Sequence, residues 1–156
     1  MQLSWRSAAL GDAQDLYAWR NSVSGRRYSG NSSLITYSHH INWLYSRLER
    51  SESEPFLIFS HEKIRVGMAR FELSTEINNS FEVSILVDPK FQGMGYGTKI
   101  LQISCDEINR KFPIKSISAR VKVGNLVSIS LFENVGFIER YRTAEFIFFE
   151  RITKVL

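Results

Sequence analysis

The stretch "FEVSILVDPKFQGMGYGTKILQ", Phe81 to Gln102, changes character halfway. At first it alternates: Phe81, Val83, Ile85 and Val87 fall on one side, Glu82, Ser84 and Leu86 on the other. That is the two-residue period of a β-strand. From Gly95 the period lengthens, and Leu101, Cys105, Ile108 and Phe112 recur along one face of a helix that Pro113 ends. Between strand and helix stand Gly93, Gly95 and Gly97. Glycine is the costliest residue to order and a weak helix former, so three of them at a helix mouth need a reason. The first turn of a helix carries N–H groups without partners and is its positive end. An anion docked there satisfies both conditions, and glycines let a phosphate approach the backbone. "QGMGYG" is therefore a candidate pyrophosphate cradle whose ordering cost is offset when a ligand occupies it.

Working outward, "PFLIFS", "IRVGMARFEL" and "SFEVSILVD" all show period two and are joined by short turns, which predicts an antiparallel meander. Upstream, "LSWRSA" reads as a strand. "DAQDLYAWRNSV" reads as a helix with Asp12 as its cap, and Gly25 to Ser33 as a loop. Ser38 is expected to cap a second helix with Ile41, Leu44, Tyr45 and Leu48 on one side. Downstream, "SISARVKV" is a strand and "NLVSISLFENVGF" a short helix capped by Asn125 with Gly136 at its exit. "FIERY" and "EFIFFERI" pair as a last hairpin. The order β-α-α-β-β-β-α-β-α-β-β predicts one α/β domain of mixed sheet over 1–156.

Composition narrows the classes. With 156 residues, 44% of them hydrophobic and 23% charged, the chain has the make-up of a globular protein. No apolar run approaches the roughly 20 residues of a membrane span, and the first residues lack the layout of a secretion signal. Cys105 is the single cysteine, so no internal disulfide is possible and a cytoplasmic home is the simplest reading. On the helix's apolar stripe, Cys105 is expected to be a buried thiol. Twenty Lys and Arg against 16 Asp and Glu give a net +4. That suits an anionic ligand but is not the dense stripe of a nucleic-acid binder. No His, Cys and Asp cluster has metal-ligand spacing, so no metal is expected.

Three phosphate loops compete for "QGMGYG". A P-loop requires Gly-Lys-Ser/Thr, and Gly97-Thr98-Lys99 has the wrong order. A dinucleotide fingerprint requires G-x-G-x-x-G in an early βαβ unit, and here the spacing is G-x-G-x-G. Gln92, Gly95 and Gly97 match a third pattern, Gln/Arg-x-x-Gly-x-Gly/Ala. That pattern belongs to the GCN5-related N-acetyltransferases (GNAT), which the chain resembles over nearly its whole length. "NLVSISLFENVGF" is similar to a second family segment, Asn-x-x-Ser/Ala-x-x-Leu-Tyr-x-x-x-Gly-Phe.

The resemblance implies a mostly antiparallel sheet of about seven strands flanked by about four helices, with the central strands splayed. It implies acetyl-CoA as donor, its pantetheine arm along Ile85, Leu86 and Val87. The pyrophosphate would lie on the amides of Gln92, Gly93, Met94, Gly95, Tyr96, Gly97 and Thr98, with Asn125, Ser128 and Phe132 bordering the arm. Glu82, where the family often carries an acidic residue, is the expected general base acting through water. The family's acidic tyrosine is replaced by Phe132, which has no proton to give. The thiolate then leaves unassisted, or Ser128, Ser130 or Tyr141 approaches it.

For the acceptor, Trp-Arg-Asn at 19 to 21 and His40-x-x-Trp43 resemble the acetyltransferases of nucleotide-linked amino sugars, such as those of pseudaminic acid synthesis. They also resemble those of ribosomal-protein N-termini. Arg20, with the Arg26–Arg27 pair, would hold a nucleotide's phosphates; Asn21, His40 and Trp43 complete the expected substrate set, Trp43 or Tyr45 stacking on a base or sugar. The partner expected is thus a small-molecule amine, an anionic sugar nucleotide first, with a protein N-terminus as the alternative. A non-catalytic acyl-CoA binder is a third reading. The apolar "EFIFFERI" also raises a homodimer.

Overall fold

A computed structural model describes residues 2–30 and 32–153. Seven strands lie in one sheet: β1 (Ser4–Ser7), β2 (Phe56–His61), β3 (Ile64–Leu73), β4 (Ser80–Val87), β5 (Ser116–Lys122), β6 (Ile138–Arg142) and β7 (Phe146–Ile152). Five helices accompany them: α1 (Ala13–Asn21), α2 (Val23–Tyr28), α3 (Tyr37–Leu48), α4 (Tyr96–Lys111) and α5 (Leu126–Asn134). The strand order is β1-β2-β3-β4-β5-β7-β6. Among the described residues only β4 and β5 run parallel, and α4 makes the crossover that such a pair requires.

The expected alternation holds on β4. Phe81 and Val83 are buried in a cluster with Ile100, Leu101, Cys105 and Ile108 of α4 and Phe132 of α5. Leu86 packs on the opposite face, with Met68, Leu16, Trp19 and Leu44 beneath α1 and α3. The two faces therefore carry separate cores. The second lies on β2, β3 and β4. Burial pushes the Cys105 thiol up to about 12, so it stays protonated as an inert apolar group.

Several local expectations are corrected. The segment from Gly25 is not all loop: Val23–Tyr28 is a helix whose first turn is capped by Ser22 Oγ, which accepts from the Gly25 N–H at 3.0 Å. Thr36, not Ser38, caps α3 by accepting from the His39 N–H at 3.2 Å. Asp12 precedes α1 but does not cap it. Its fully buried carboxylate accepts from Arg6, from Arg65 at 2.7 Å and from the Ala9 N–H at 2.9 Å. The buried face of α3 runs through His40, Leu44 and Arg47, while Tyr45 is exposed. Two polar side chains line this core by donating to backbone carbonyls, His40 to Ala13 and the two terminal nitrogens of Arg47 to Glu54, Pro55 and Phe71. The apolar content of "EFIFFERI" is used inside this sheet: β7 lies between β5 and β6, with Ile147 and Phe149 in the core.

Candidate active site

Strands β4 and β5 pair at only three positions, Ser80↔Ser116, Phe81↔Ile117 and Glu82↔Ser118. Beyond Glu82 they separate. On its other edge β4 stays paired with β3 as far as Val87↔Gly67. From Val83 to Val87 the edge toward β5 therefore has no strand partner among the described residues. An extended amide chain can hydrogen-bond to such an edge. The gap is continuous with a cleft of about 760 Å³ lined by Glu82 to Val87, the loop before α4, and residues of α1, α2, α3 and α5.

At one end of the cleft sits the glycine loop. Gly93 and Gly95 have φ of 77° and 85°, values that L side chains adopt only with strain. Gly95 is the residue before α4, and no side chain caps that helix among the described residues. Its first amides are thus available to a ligand. Gly97 serves close packing instead: a Cβ there would stand 2.6 Å from Leu131 Cδ1 of α5. Gln92, Gly93, Gly95, Tyr96, Gly97 and Thr98 line the cleft, whereas Met94 is exposed outside it. Tyr96 offers only its backbone; its ring is buried and its hydroxyl is bonded to His61 Nδ1 at 2.6 Å. Gln92 Nε2 donates to Ser24 Oγ of α2 at 3.1 Å, joining the loop to the helix across the cleft mouth.

An alanine at Gly95 must hold the left-handed conformation at a cost of about 1–2 kcal/mol. Gly95→Ala should therefore weaken coenzyme A binding roughly tenfold. Gly95→Asn, which tolerates that conformation better, should restore part of it. Titration calorimetry with coenzyme A reads both.

At the other end stands Glu82, half-buried on the face that α1 and α3 half cover. Its pKa is raised, chiefly by burial and further by Glu72 and Glu76, against the pull of Arg120 and Arg70. Glu72 is its direct cross-strand neighbour. A carboxylate shifted upward is a better proton acceptor near neutrality. Arg20, His40 and Trp43 line the cleft around it. Burial, Arg70 and Arg26 lower the pKa of Arg20. Burial likewise lowers that of His40, whose Nε2 lies 3.0 Å from the Ala13 carbonyl and donates to it. Trp43 stacks beneath the Arg70 guanidinium at 5.1 Å.

Other expected residues lie elsewhere. Asn21 is occupied by both backbone groups of Ile35, at 2.9 Å and 3.1 Å, and does not line the cleft. Neither Arg26 nor Arg27 lines it; Arg27 covers the ring of Tyr28. Phe132 borders the cleft but its ring is buried against Phe137 and Phe149. Asn125 caps α5 by accepting from the Ser128 N–H at 3.2 Å. Of the expected hydroxyls, Ser128 and Ser130 line the cleft. Tyr141 lies at a separate small hollow beside Glu82, its hydroxyl donating to Glu76 at 3.1 Å. Sequence reasoning missed Tyr28, Arg70, Arg120 and Phe146, which also line the cleft. The alternation of "SISARVKV" held the signal for Arg120: Ala119 and Val121 are buried, so Arg120 faces the other way.

The sequence profile of the acetyltransferase (GNAT) domain matches residues 2–138. No curated protein sequence matches the chain. Among solved structures, the ribosomal-protein-alanine N-acetyltransferase of Brucella melitensis is 23% identical, with a TM-score of 0.79 over 96% of this chain and 99% of that one. The spermidine N-acetyltransferase of Vibrio cholerae, solved with CoA and spermine, is 18% identical, with a TM-score of 0.84 over 99% and 97%. An aminoglycoside acetyltransferase solved with coenzyme A is 16% identical, with a TM-score of 0.85 over 99% and 96%. Such likenesses speak for the fold; the domain match carries the family. The unpaired edge of β4, the glycine loop before α4 and that match agree, and the chain belongs to the acetyltransferase (GNAT) domain family, the acetyl-CoA-dependent N-acetyltransferases.

Proposed function

We propose that the whole chain acts as one cytoplasmic N-acetyltransferase domain on a small anionic amine, a nucleotide-linked amino sugar first. The observation that carries this reading is that Glu82 and the arginines Arg20, Arg70 and Arg120 border the cleft that also holds the glycine loop. Bound acetyl-CoA supplies an acetyl group activated as a thioester. The amides from Gln92 to Thr98 hold its pyrophosphate, and the free edge from Ile85 to Val87 holds its amide-bearing arm. Glu82 accepts the amine proton, directly or through one water, so that the lone pair is free. Arg20 draws the acceptor's negative groups, and Trp43 offers an aromatic face to a sugar or base.

Phe132 favours a second reading, a non-catalytic acyl-CoA binder, because it supplies no proton to a leaving thiol. Release of the coenzyme A thiol separates the readings when three amine classes are offered with acetyl-CoA: amino-sugar nucleotides, peptides with free N-termini and polyamines. Release with the sugar nucleotides supports the proposal. Release with peptides alone replaces it by N-terminal acetylation. Tight coenzyme A binding without release on any amine leaves the binder.

A further inference from the structure

We infer that Arg120 is the anchor for an anionic group of the acceptor. The inference rests on the acetyl-transfer reading above and adds to it a residue and a ligand chemistry.

The register of the sheet places the pieces. Glu82 on β4 lies beside Ser118 on β5, and Glu72 on β3 lies on its other side. Two residues further along the same face come Arg70 on β3, Ser84 on β4 and Arg120 on β5. Glu82, Arg70 and Arg120 all border the same cleft, and Arg120 faces Ser84 across the gap that opens where β4 and β5 separate.

The two guanidiniums are not equivalent. Arg70 is committed: its Nε is 2.7 Å from Glu72 Oε1, and its guanidinium lies over Trp43. Arg120 has no carboxylate within ion-pair distance among the described residues. Among the described residues its guanidinium makes no hydrogen bond and is flanked instead by an aromatic ring and a glycine. The ring of Phe146 lies 4.8 Å from it. On another side is the bare backbone of Gly30, where a Cβ would come 3.4 Å from Nη2. An aromatic ring and a glycine fix the plane of the guanidinium and leave its donors to a ligand. A planar fork of this kind is suited to the paired oxygens of a phosphate or carboxylate.

An acceptor that carries both an amine and a phosphate or carboxylate can present the amine to Glu82 and the anion to Arg120, because both side chains border the cleft. Coenzyme A's own phosphates are the competing source of negative charge. Arg120 and the glycine loop line the same cleft, so coenzyme A affinity is read beside acceptor binding. Arg120 also draws down the pKa of Glu82. An anion bound there offsets that pull and makes Glu82 a stronger base when the right acceptor is in place.

The test uses the full chain loaded with coenzyme A, and 3-aminopropyl phosphate and 3-aminopropanol as matched probes. By calorimetry the wild type should bind the phosphate at least about tenfold more tightly than the alcohol, as expected of a charge-assisted hydrogen bond. Arg120→Met should abolish that difference while coenzyme A affinity and melting temperature stay put, and Arg120→Lys should keep part of it. Equal binding of the two probes, absence of binding by either, or a preference that survives Arg120→Met overturns the inference. Loss of coenzyme A affinity in Arg120→Met also overturns it and assigns the residue to the coenzyme. If the wild type itself fails to bind coenzyme A, the acetyl-transfer reading falls with it; every other adverse result leaves that reading standing.

Discussion

Glu82→Gln should slow acetylation by about 10²- to 10³-fold with coenzyme A affinity unchanged. Glutamine keeps the size and hydrogen-bonding capacity of the side chain but cannot take a proton. Ordinary surface glutamates tolerate such a change. Here the carboxylate is half-buried, faces the cleft and sits opposite Glu72, so its pKa is raised. The raised value fixes the sign of the pH response. Below it Glu82 is protonated and cannot act as base, so the wild-type rate should fall as the pH drops through it. That fall should begin at higher pH than for an ordinary glutamate. The variant should lose this acidic limb and keep only the limb set by the amine itself. Rates of coenzyme A release across pH, beside calorimetric coenzyme A titrations, test both parts. An unchanged profile removes Glu82 from the chemistry.

Arg47→Ala should be the most damaging single change to stability, at about 3–5 kcal/mol. The Arg47 side chain is 1% exposed, although it carries a charge. It donates to the carbonyls of Glu54 at 2.8 Å and Phe71 at 2.9 Å, with Pro55 more distant at 3.4 Å, and its guanidinium lies over Phe56. One residue in the last turn of α3 thus satisfies carbonyls at the start of β2 and near the end of β3. Alanine leaves buried acceptors unpaired at about 1–3 kcal/mol each and opens a void. For a chain of this size the melting temperature should drop by roughly 10 °C. Arg47→Met restores the volume without the donors and should fall between the two. Thermal unfolding of the three proteins decides; a drop below about 2 °C for Arg47→Ala would show that water replaces the guanidinium.

The part of the fold legible in the sequence is the part governed by local periodicity. The alternation of Phe81 to Val87 and the apolar stripe of Leu101, Cys105 and Ile108 lie where they were expected. So do the three-strand meander and the final hairpin. The misreadings came where polar atoms find distant partners. The burial of Arg47 and His40 is not legible in the sequence, because nothing in the local pattern reveals the carbonyls that accept from them. The helix Val23–Tyr28 is short, and its arginines and glycine mask a cap supplied by Ser22. The same limit applies to the cleft. Glu82 and the glycine loop lie on one continuous strand-loop-helix segment and could be read together. Arg70 and Arg120 come from two other strands, and only the sheet order brings them to one cleft.

The hydrogen bond from Gln92 to Ser24 ties the glycine loop to the short helix α2, and both residues line the cleft. Any factor that an acceptor contributes to the grip on coenzyme A must be returned by the coenzyme to the acceptor, and this contact is a place in the molecule where such a reciprocity can be sought by substitution.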